Sequence, residues 1–354
     1  MRKNKIIDLN KIFNTPANPL LLRIMAICII VCFSQCSKDT TTDDEKVGDW
    51  ARKSEFEGVG RTEAVSFVVD DKVYVGGGYD GDDRLTDFWL LDDATGTWYQ
   101  KANFPGTPRN SAISFSINGK GYIGTGIDED DNKLKDFWQY DPTSDTWTQL
   151  ADFPGTARYN AVGFSINSKG YISTGYDGNY LKDLWEYDPG NDTWTQKASL
   201  GGSKRSEAVS FVYDNKAYIL TGTNNGSLLN DFWVYDPANN SWEEKRKLTD
   251  ATDNDYDDDY DYNIVRKNAI ISVMGNKAYL TSGNNGSAIA STWEYDISSD
   301  TWDEKTSFEG TAREGALGFT VRSNMYIVTG NNSSYEFDDM WQFFPAAEQD
   351  DNNN

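Results

Sequence analysis

Apolar residues recur along most of the chain in short alternating runs that are typical of β-strands. In one stretch, the apolar segment Ala161–Ile166 is followed by a tight turn and a second apolar run, Gly170–Gly175. The segment Asp183–Asp188 then alternates polar and apolar residues, and Thr193–Lys197 follows after the turn Pro189–Asp192. Alternation with a period of two residues, bounded by turn residues, predicts strands with one buried face. The stretch is therefore expected to form four short strands.

This four-strand pattern occurs six times. Two series of six tryptophans mark it and together contain all twelve tryptophans of the chain. An arginine, an alanine, a tyrosine and a glycine also recur in every unit at fixed spacing, and the unit is 47 to 49 residues long except for one of 60. The first tryptophan series is Trp89, Trp138, Trp185, Trp233, Trp293 and Trp341, the second is Trp50, Trp98, Trp147, Trp194, Trp242 and Trp302, and the arginines are Arg61, Arg109, Arg158, Arg205, Arg266 and Arg313.

The repeats predict an all-β fold, a six-bladed β-propeller of four-stranded blades. The last unit ends at Trp341–Pro345 without a fourth strand, whereas Asp49–Lys53, before the first unit, has the sequence of a fourth strand. We expect this N-terminal strand to pair into the last blade and close the ring, which leaves no open junction between blades.

Residues 47–345 resemble the kelch repeat of galactose-oxidase-like propellers. The resemblance rests on the recurrent arginine, the apolar-Tyr-apolar-Gly runs, the Tyr-Asp-Pro turns such as Tyr140–Pro142, and the closing tryptophan. The kelch double glycine is kept only in Gly76–Gly78, and threonine or serine replaces the first glycine elsewhere, as at Thr125 and Ser282. The resemblance implies a divergent kelch propeller.

The first 36 residues differ in composition from the repeats. They carry five basic residues and one acid, Asp8, and contain an apolar run from Ile24 to Phe33. A basic segment followed by about ten apolar residues is typical of a secretory signal and is too short to span a bilayer. The run ends at Cys36 and resembles a bacterial lipoprotein signal, in which the cysteine becomes the lipidated first residue. An ordinary signal peptide cleaved nearby is the alternative.

Four regions are therefore expected: a lipoprotein signal peptide at 1–36, a flexible acidic tether at 37–46, the propeller at 47–345 and a disordered tail at 346–354. The polar stretch after Cys36 also resembles the segment that follows the cysteine in surface-exported lipoproteins of the Bacteroidota. We expect an outer-membrane lipoprotein of the cell envelope, facing the periplasm or the exterior, that contacts the membrane through its lipid anchor.

The composition excludes several kinds of site. Histidine is absent, and the three cysteines, Cys28, Cys32 and Cys36, all precede the repeats. The repeats therefore have no His-ligated metal, no His-containing triad and no thiol nucleophile, and we expect no metal and no cofactor. The formal charge is −23, and because the first 36 residues contribute +4, the rest carries −27. Such acidity argues against nucleic-acid binding, which needs a basic surface.

The connections after the second and fourth strands of each blade lie on one face of a propeller and are the longer and more varied ones, so we expect binding on that face. Tyrosine, asparagine and aspartate in these connections suit sugar recognition by stacking and hydrogen bonding. Asn-Gly and Asp-Gly pairs are also common turn formers, which is the alternative. The candidates are Tyr79, Asp80, Tyr159, Tyr176, Asn224, Asn225, Asn284, Asn285, Asn331 and Asn332.

The six recurrent arginines lie on the same face and allow two interpretations. An aspartate precedes the first-series tryptophan by two residues in five repeats, and Ser291 replaces it in the sixth, so Arg–Asp pairs are expected to tie the blades together. Alternatively, a ring of guanidiniums around the channel mouth would suit a carboxylate or sulfate ligand. The structural interpretation is preferred, because a residue present in every blade usually serves the repeat.

The long repeat carries an acidic insertion, Asp250–Tyr262, on the same face. Its alternating aspartates are reminiscent of a calcium loop, but counted from Asp253 it has no glycine at the sixth position and has Ile264 in place of the closing glutamate. A mobile acidic loop is the preferred interpretation.

The sequence leaves two candidate functions. The first is a non-catalytic, monomeric binding protein that uses the loop face for a glycan or protein partner. The second is a carbohydrate-active enzyme that works without histidine, such as a sugar epimerase or lyase, since the kelch resemblance includes sialic-acid epimerases. The copper oxidase activity of galactose oxidase is excluded, because that site requires histidine ligands and a Cys–Tyr cross-link.

Overall fold

The computed structural model describes residues 46–249, 262–350 and 352–353. The expected signal peptide, Cys36, the tether up to residue 45 and residues 250–261 of the acidic insertion lie outside these residues. None of the described residues forms a helix that is long and apolar enough to cross a bilayer. The described chain is all-β and is arranged in six four-stranded sheets.

The first three blades each use four consecutive strands that pair antiparallel in chain order. Blade 1 contains β2 (Val65–Val69), β3 (Lys72–Gly76), β4 (Phe88–Asp92) and β5 (Thr97–Lys101). Blade 2 contains β6 (Ile113–Ile117), β7 (Lys120–Gly124), β8 (Phe137–Asp141) and β9 (Thr146–Gln149). Blade 3 contains β10 (Val162–Ile166), β11 (Lys169–Ser173), β12 (Leu184–Asp188) and β13 (Thr193–Lys197).

The other three blades keep the same order, and two of them carry a small extra hairpin. Blade 4 contains β14 (Val209–Tyr213), β15 (Lys216–Leu220), β18 (Phe232–Asp236) and β19 (Ser241–Lys245), with the hairpin β16 (Thr223–Asn224) and β17 (Ser227–Leu228). Blade 5 contains β20 (Ile270–Met274), β21 (Lys277–Thr281), β22 (Thr292–Asp296) and β23 (Thr301–Lys305). Blade 6 contains β24 (Leu317–Val321), β25 (Asn324–Val328), β28 (Met340–Phe344) and β1 (Asp49–Arg52), with the hairpin β26 (Asn331–Asn332) and β27 (Tyr335–Glu336).

The ring closes as the sequence predicts, because β1 is the outer strand of blade 6. It pairs antiparallel with β28, and Trp50 lies opposite Phe343. The Trp50 side chain is fully buried, stacks on Phe343 at 4.6 Å and donates its indole N–H to the Thr306 carbonyl. The innermost strands contact one another in circular order, from β2 through β24 and back to β2. Both ends of the propeller therefore share one blade.

The C-terminal residues contact this closing strand. The main-chain N–H of Asp350 and the side-chain amide of Asn353 donate to the Asp49 carboxylate, and Gly48 N–H donates to the Ala347 carbonyl. For the described part of 346–354, the expectation of a disordered tail is therefore corrected: these residues lie against β1.

The core lies between the blades and is built from aromatic residues at repeated positions. The first residue of a third strand packs edge-on against the tyrosine of the next blade, as in Phe88 with Tyr140, at 4.9 Å between ring centroids. Phe137 and Tyr187 repeat this contact at 4.9 Å. Phe232 and Tyr295 form the third such contact at 5.0 Å, whereas Leu184, Thr292 and Met340 occupy the equivalent position in the other blades. Three of the six blade junctions thus share one aromatic geometry.

Candidate functional site

The six recurrent arginines are buried and belong to the framework. Their exposed fractions are 0 to 2%. In five blades the guanidinium pairs with the predicted aspartate at N–O distances of 2.5 to 2.7 Å, and the same aspartate accepts the indole N–H of the first-series tryptophan. The pairs are Arg61–Asp87, Arg109–Asp136, Arg158–Asp183, Arg205–Asp231 and Arg313–Asp339. The predicted Arg–Asp pairing is confirmed, but each pair lies within a single blade, so the pairs themselves do not tie neighbouring blades together.

Blade 5 lacks this Arg–Asp pair, as the replacement of the aspartate by Ser291 predicts. In blade 5, Arg266 donates to the carbonyl and hydroxyl oxygens of Ser291. Burial without a carboxylate lowers the pKa of Arg266 to about 10, although Glu304 opposes the shift. The hypothesis of a guanidinium ring open to an anionic ligand is therefore wrong, because these side chains have almost no exposed surface.

Each arginine also connects two blades, through its main chain. Its carbonyl accepts the N–H of the recurrent glycine of the preceding blade, as Arg109 does from Gly78 at 2.9 Å. Its guanidinium bonds its own blade, including the carbonyl of the residue before the glycine, as Arg109 does with Thr125 at 2.9 Å. The arginine thus fixes the loop that precedes each blade.

Two residues after each arginine, the six blades meet in a closed ring of main-chain hydrogen bonds. Each N–H in this ring donates to the carbonyl of the equivalent residue in the preceding blade, at 2.8 to 3.1 Å. All six residues have positive φ angles, between 48° and 61°. The members of this rim are Glu63, Ser111, Asn160, Glu207, Asn268 and Gly315. Together they line a cavity of about 170 Å³ at the channel mouth.

A larger cavity of about 550 Å³ lies beside the rim, on the loops of blades 3, 4 and 5. It shares Asn160 and Glu207 with the channel mouth. Tyrosines from blade 3 contribute one part of its lining, the hairpin of blade 4 another, and the Asn284–Gly286 loop of blade 5 a third. The lining residues are Tyr159, Asn160, Tyr176, Tyr180, Ser206, Glu207, Thr223, Gly226, Leu228, Lys267, Asn284, Asn285 and Gly286.

Short loops bring the three tyrosines together. Tyr176 pairs with both Tyr159 and Tyr180 as isolated bridges, and Gly178 supplies the positive φ of 117° in the turn between Tyr176 and Tyr180. The Asp177 carboxylate accepts the Asn179 N–H at 2.9 Å and fixes this turn. The rings of Tyr176 and Tyr159 are 5.8 Å apart, and those of Tyr176 and Tyr180 are 5.1 Å apart, both edge to face. The result is a continuous aromatic surface along one side of the cavity.

Polar and charged groups from the next two blades complete the cavity. The Lys267 ammonium lies 3.1 Å from Glu207, whose carboxylate also accepts the amide N–H of Asn268. Burial alone would lower the pKa of Lys267, but Glu207 outweighs burial and raises it. Asn284 donates its amide to Glu314 at 2.8 Å and accepts the N–H of Gly286. These bonds hold each polar group in one orientation.

Two further groups have shifted pKa values. Burial raises the pKa of Tyr159, and Tyr176 and Glu207 add to the shift. Burial also raises the pKa of Glu63 at the channel mouth, against hydrogen bonds from Ser111 and Asn110 that lower it. Among the described residues, no cluster of three or more acidic, cysteine or histidine side chains is arranged to hold a metal ion.

Four of the residues predicted for the site line the larger cavity: Tyr159, Tyr176, Asn284 and Asn285. Asn224 and Asn225 belong to the blade 4 hairpin, where Asn225 and Gly226 have the positive φ angles of its turn.

The remaining predicted residues lie on blades 1 and 6, away from this cavity. Asp80 accepts the N–H groups of Asp82 and Asp83, and Arg84 lies over the Tyr79 ring at 5.7 Å. Asn331 accepts the Thr62 hydroxyl, and Asn332 accepts the Ser334 N–H. These groups serve local loop structure.

Lys267 and Glu207 line the cavity but were not among the residues predicted for the site from the sequence. The signal that could have found them is the variability of the two positions that follow each recurrent arginine, among otherwise constant columns: Lys267 is at the first and Glu207 at the second. A position of the repeat whose residue type varies between blades has surroundings that differ from one blade to the next.

Comparison with known proteins supports the fold. Residues 60–105, 157–201 and 204–249 match the Kelch motif, so the chain contains kelch repeats. No curated protein matches the chain in sequence. Among solved structures, that of YjhT aligns with a TM-score of 0.67 and 16% sequence identity, over 81% of this chain and 95% of that chain. At this identity the likeness shows the propeller fold alone.

Proposed function

We propose that this protein is a binding protein that holds a glycan in the cavity formed by the loops of blades 3, 4 and 5. The observation that carries the proposal is the tyrosine surface of Tyr159, Tyr176 and Tyr180 opposite ordered amide and charged groups. Sugars present an apolar C–H face and a ring of hydroxyls, so they require an aromatic surface and fixed hydrogen-bonding groups together. The volume of about 550 Å³ is within the range of small-molecule sites.

The test is a glycan array followed by calorimetry on the glycans that bind. Tyr176→Ala is expected to weaken binding by about tenfold, the effect of losing one stacked aromatic side chain. Tyr99→Ala is the matched control, because Tyr99 is half exposed on the outer strand of blade 1. If no glycan binds, or if the two variants behave alike, the proposal fails and a protein partner on this face becomes the hypothesis to test.

A carbohydrate-active enzyme is the second candidate, since Glu207, Lys267 and the Tyr159 phenol meet in one cavity. These residue types can perform general acid–base catalysis without histidine. The pKa values of Lys267 and Tyr159 are both raised, however, and therefore move away from neutral pH. Because general catalysis is most effective with a group that titrates near the working pH, the binding function is preferred. Turnover of a bound sugar followed by proton NMR, lost in Glu207→Gln, would establish the enzyme instead.

We also propose that Cys36 carries a lipid anchor that places the propeller at the cell envelope. The support is the sequence of residues 1–36, with its basic start, apolar run and terminal cysteine. Cys36→Ala is expected to move the protein from the membrane fraction to the soluble fraction and to abolish labelling with a radioactive fatty acid. Retention of the variant in the membrane fraction would contradict the proposal.

A further inference from the structure

The charge balance of the cavity distinguishes between classes of sugar. Among the described residues that line it, Lys267 is the one cation, and its ammonium lies 3.1 Å from the Glu207 carboxylate. Its charge is therefore already compensated. The side chains of Lys267 and Glu207 are 33% and 14% exposed, so this pair lies in partly desolvated surroundings where charges interact more strongly than in water.

Two further carboxylates contribute to the potential at this pair. Glu314 accepts amide N–H groups from Asn284, in the cavity lining, and from Asn268, in the rim. Glu63 lies on the opposite side of the rim, and both it and Glu314 raise the pKa of Lys267. Neither carboxylate has an ion-pair partner among the described residues. The cavity is therefore an environment of negative potential.

The arginines are the most numerous cations near the rim, but none of them belongs to the described lining of the cavity. The three that directly precede lining residues are buried: Arg158 and Arg205 are paired with Asp183 and Asp231, and Arg266, which has no carboxylate partner among the described residues, donates to Ser291. A carboxylate on a ligand would find no unpaired cation in the described lining. An ammonium group, in contrast, would meet the negative potential and the faces of the tyrosines, which attract cations.

We propose that the cavity selects its glycan by charge. It binds a sugar with a protonated amine more tightly than the N-acetylated form of that sugar, and binds the N-acetylated form more tightly than a sugar acid. This inference rests on the proposed glycan-binding function and adds the ligand class to it.

The experiment compares three oligosaccharides of equal length by calorimetry, below the pKa of the sugar amine. They are a glucosamine oligomer with free amines, the same oligomer N-acetylated, and an oligomer of a uronic acid. The expected order of affinity is amine, N-acetyl, acid. The ratio between amine and N-acetyl affinities is expected to fall as salt is raised, because screening weakens the long-range part of the attraction.

Two variants move the ratio in opposite directions. Glu314→Gln removes one negative charge and keeps an oxygen for Asn284, and it is expected to lower the amine-to-N-acetyl ratio by about threefold to tenfold. Lys267→Gln removes the lone cation of the described lining and is expected to raise the ratio by about the same factor. Glu243→Gln is the control, since it changes the net charge equally at an exposed position on the outer strand of blade 4.

The outcomes separate this inference from the function on which it rests. If the sugar acid binds best, or if the ratio is the same in all variants while Tyr176→Ala still weakens binding, charge selection is wrong and glycan binding stands. If none of the three oligosaccharides binds and the array is also negative, both proposals are overturned.

Discussion

At the scale of single residues, the arginine of each blade shows how the repeat tolerates buried charge. In five blades the guanidinium has a carboxylate partner, and it also donates to main-chain carbonyl oxygens. In four blades its Cζ atom lies over a phenylalanine ring, 4.8 to 4.9 Å from the ring centroid. A buried charge of this kind is acceptable when paired and hydrogen-bonded, but costs several kcal/mol when the partner is removed. Asp136 and Ser291 occupy the same position of the repeat in blades 2 and 5. Exchanging these residue types therefore tests what the carboxylate partner contributes to stability.

Asp136→Asn is expected to destabilise the protein by roughly 3–5 kcal/mol, because it leaves the Arg109 charge buried and uncompensated. Ser291→Asp is expected to stabilise it by roughly 1–3 kcal/mol, since it gives Arg266 the carboxylate that the other five arginines have. Chemical denaturation of both variants measures the free energies of unfolding. Equal effects of the same sign would contradict the pairing argument.

A second residue-scale feature is the backbone conformation where threonine replaces the first glycine of the kelch pair. Thr174 is fully buried with a φ of 64°, and its hydroxyl lacks a hydrogen-bond partner among the described residues. Gly77, at the equivalent position of blade 1, has a φ of 61°. A β-branched residue in this conformation is strained.

Thr174→Gly is therefore expected to raise the free energy of unfolding by about 1 kcal/mol, the strain relieved less the entropy that glycine gains in the unfolded chain. Gly77→Thr is the reverse change and is expected to lower stability by a similar amount. Thermal unfolding of the two variants provides the measurement. A destabilised Thr174→Gly protein would show that the threonine packing outweighs the strain.

At the scale of elements, the strand β1 decides whether the propeller is closed. Its register places Asp49 opposite Phe344, so the start of β1 and the end of β28 are neighbours. A chain that begins at Ser54 lacks this strand and exposes the edge of β28, together with Phe343 and Phe308, which both contact Trp50.

The truncated chain is expected to lose at least the roughly 3–5 kcal/mol associated with removing a fully buried tryptophan, and to aggregate through the open edge. Joining Asp49–Arg52 after Phe344 by a short turn is expected to restore the unfolding midpoint of the intact protein. Failure of this permuted chain to recover stability would show that the connection, and not the strand, matters.

The strands themselves follow from the sequence because each blade repeats the same alternation. The pattern of the inner strands, with apolar Val162, Phe164 and Ile166 between smaller residues, is observed in the structure as alternating burial. The location of the cavity does not follow from it. Each blade has its loops at the same positions of the repeat, but the cavity beside blades 3 to 5 arises from particular side chains in those loops, such as Tyr180 and Lys267. The partner of Lys267, Glu207, is 60 residues away in the sequence.

At the scale of the whole molecule, the repeated Arg–Asp pairs determine how stability depends on pH. Burial alone would raise the pKa values of the paired aspartates, but the arginines outweigh it in Asp87, Asp136, Asp231 and Asp339, whose pKa values are lowered from 3.8. An aspartate whose pKa is lower in the folded than in the unfolded protein stabilises the fold at pH values above its unfolded-state pKa. That stability is lost as the pH falls through the folded-state pKa.

These four aspartates are therefore expected to leave the free energy of unfolding nearly constant from pH 7 to about 4. Below about pH 4 their protonation is expected to lower it steeply. Thermal unfolding across this range measures it. The Asp136→Asn variant, which has one pair fewer, is expected to show a shallower fall. A steep loss between pH 7 and about 5 would point to other groups.

The closed ring of main-chain hydrogen bonds at the rim has a consequence for how this molecule can change. Ring closure uses the N–H and C=O groups of six residues and none of their side chains, so any residue that accepts a positive φ keeps the ring intact. Glutamate, serine, asparagine and glycine already share the position. The rim thus separates main-chain groups that must remain constant from side chains that can vary. The side chains at the channel mouth can therefore change by one substitution at a time, without loss of the propeller.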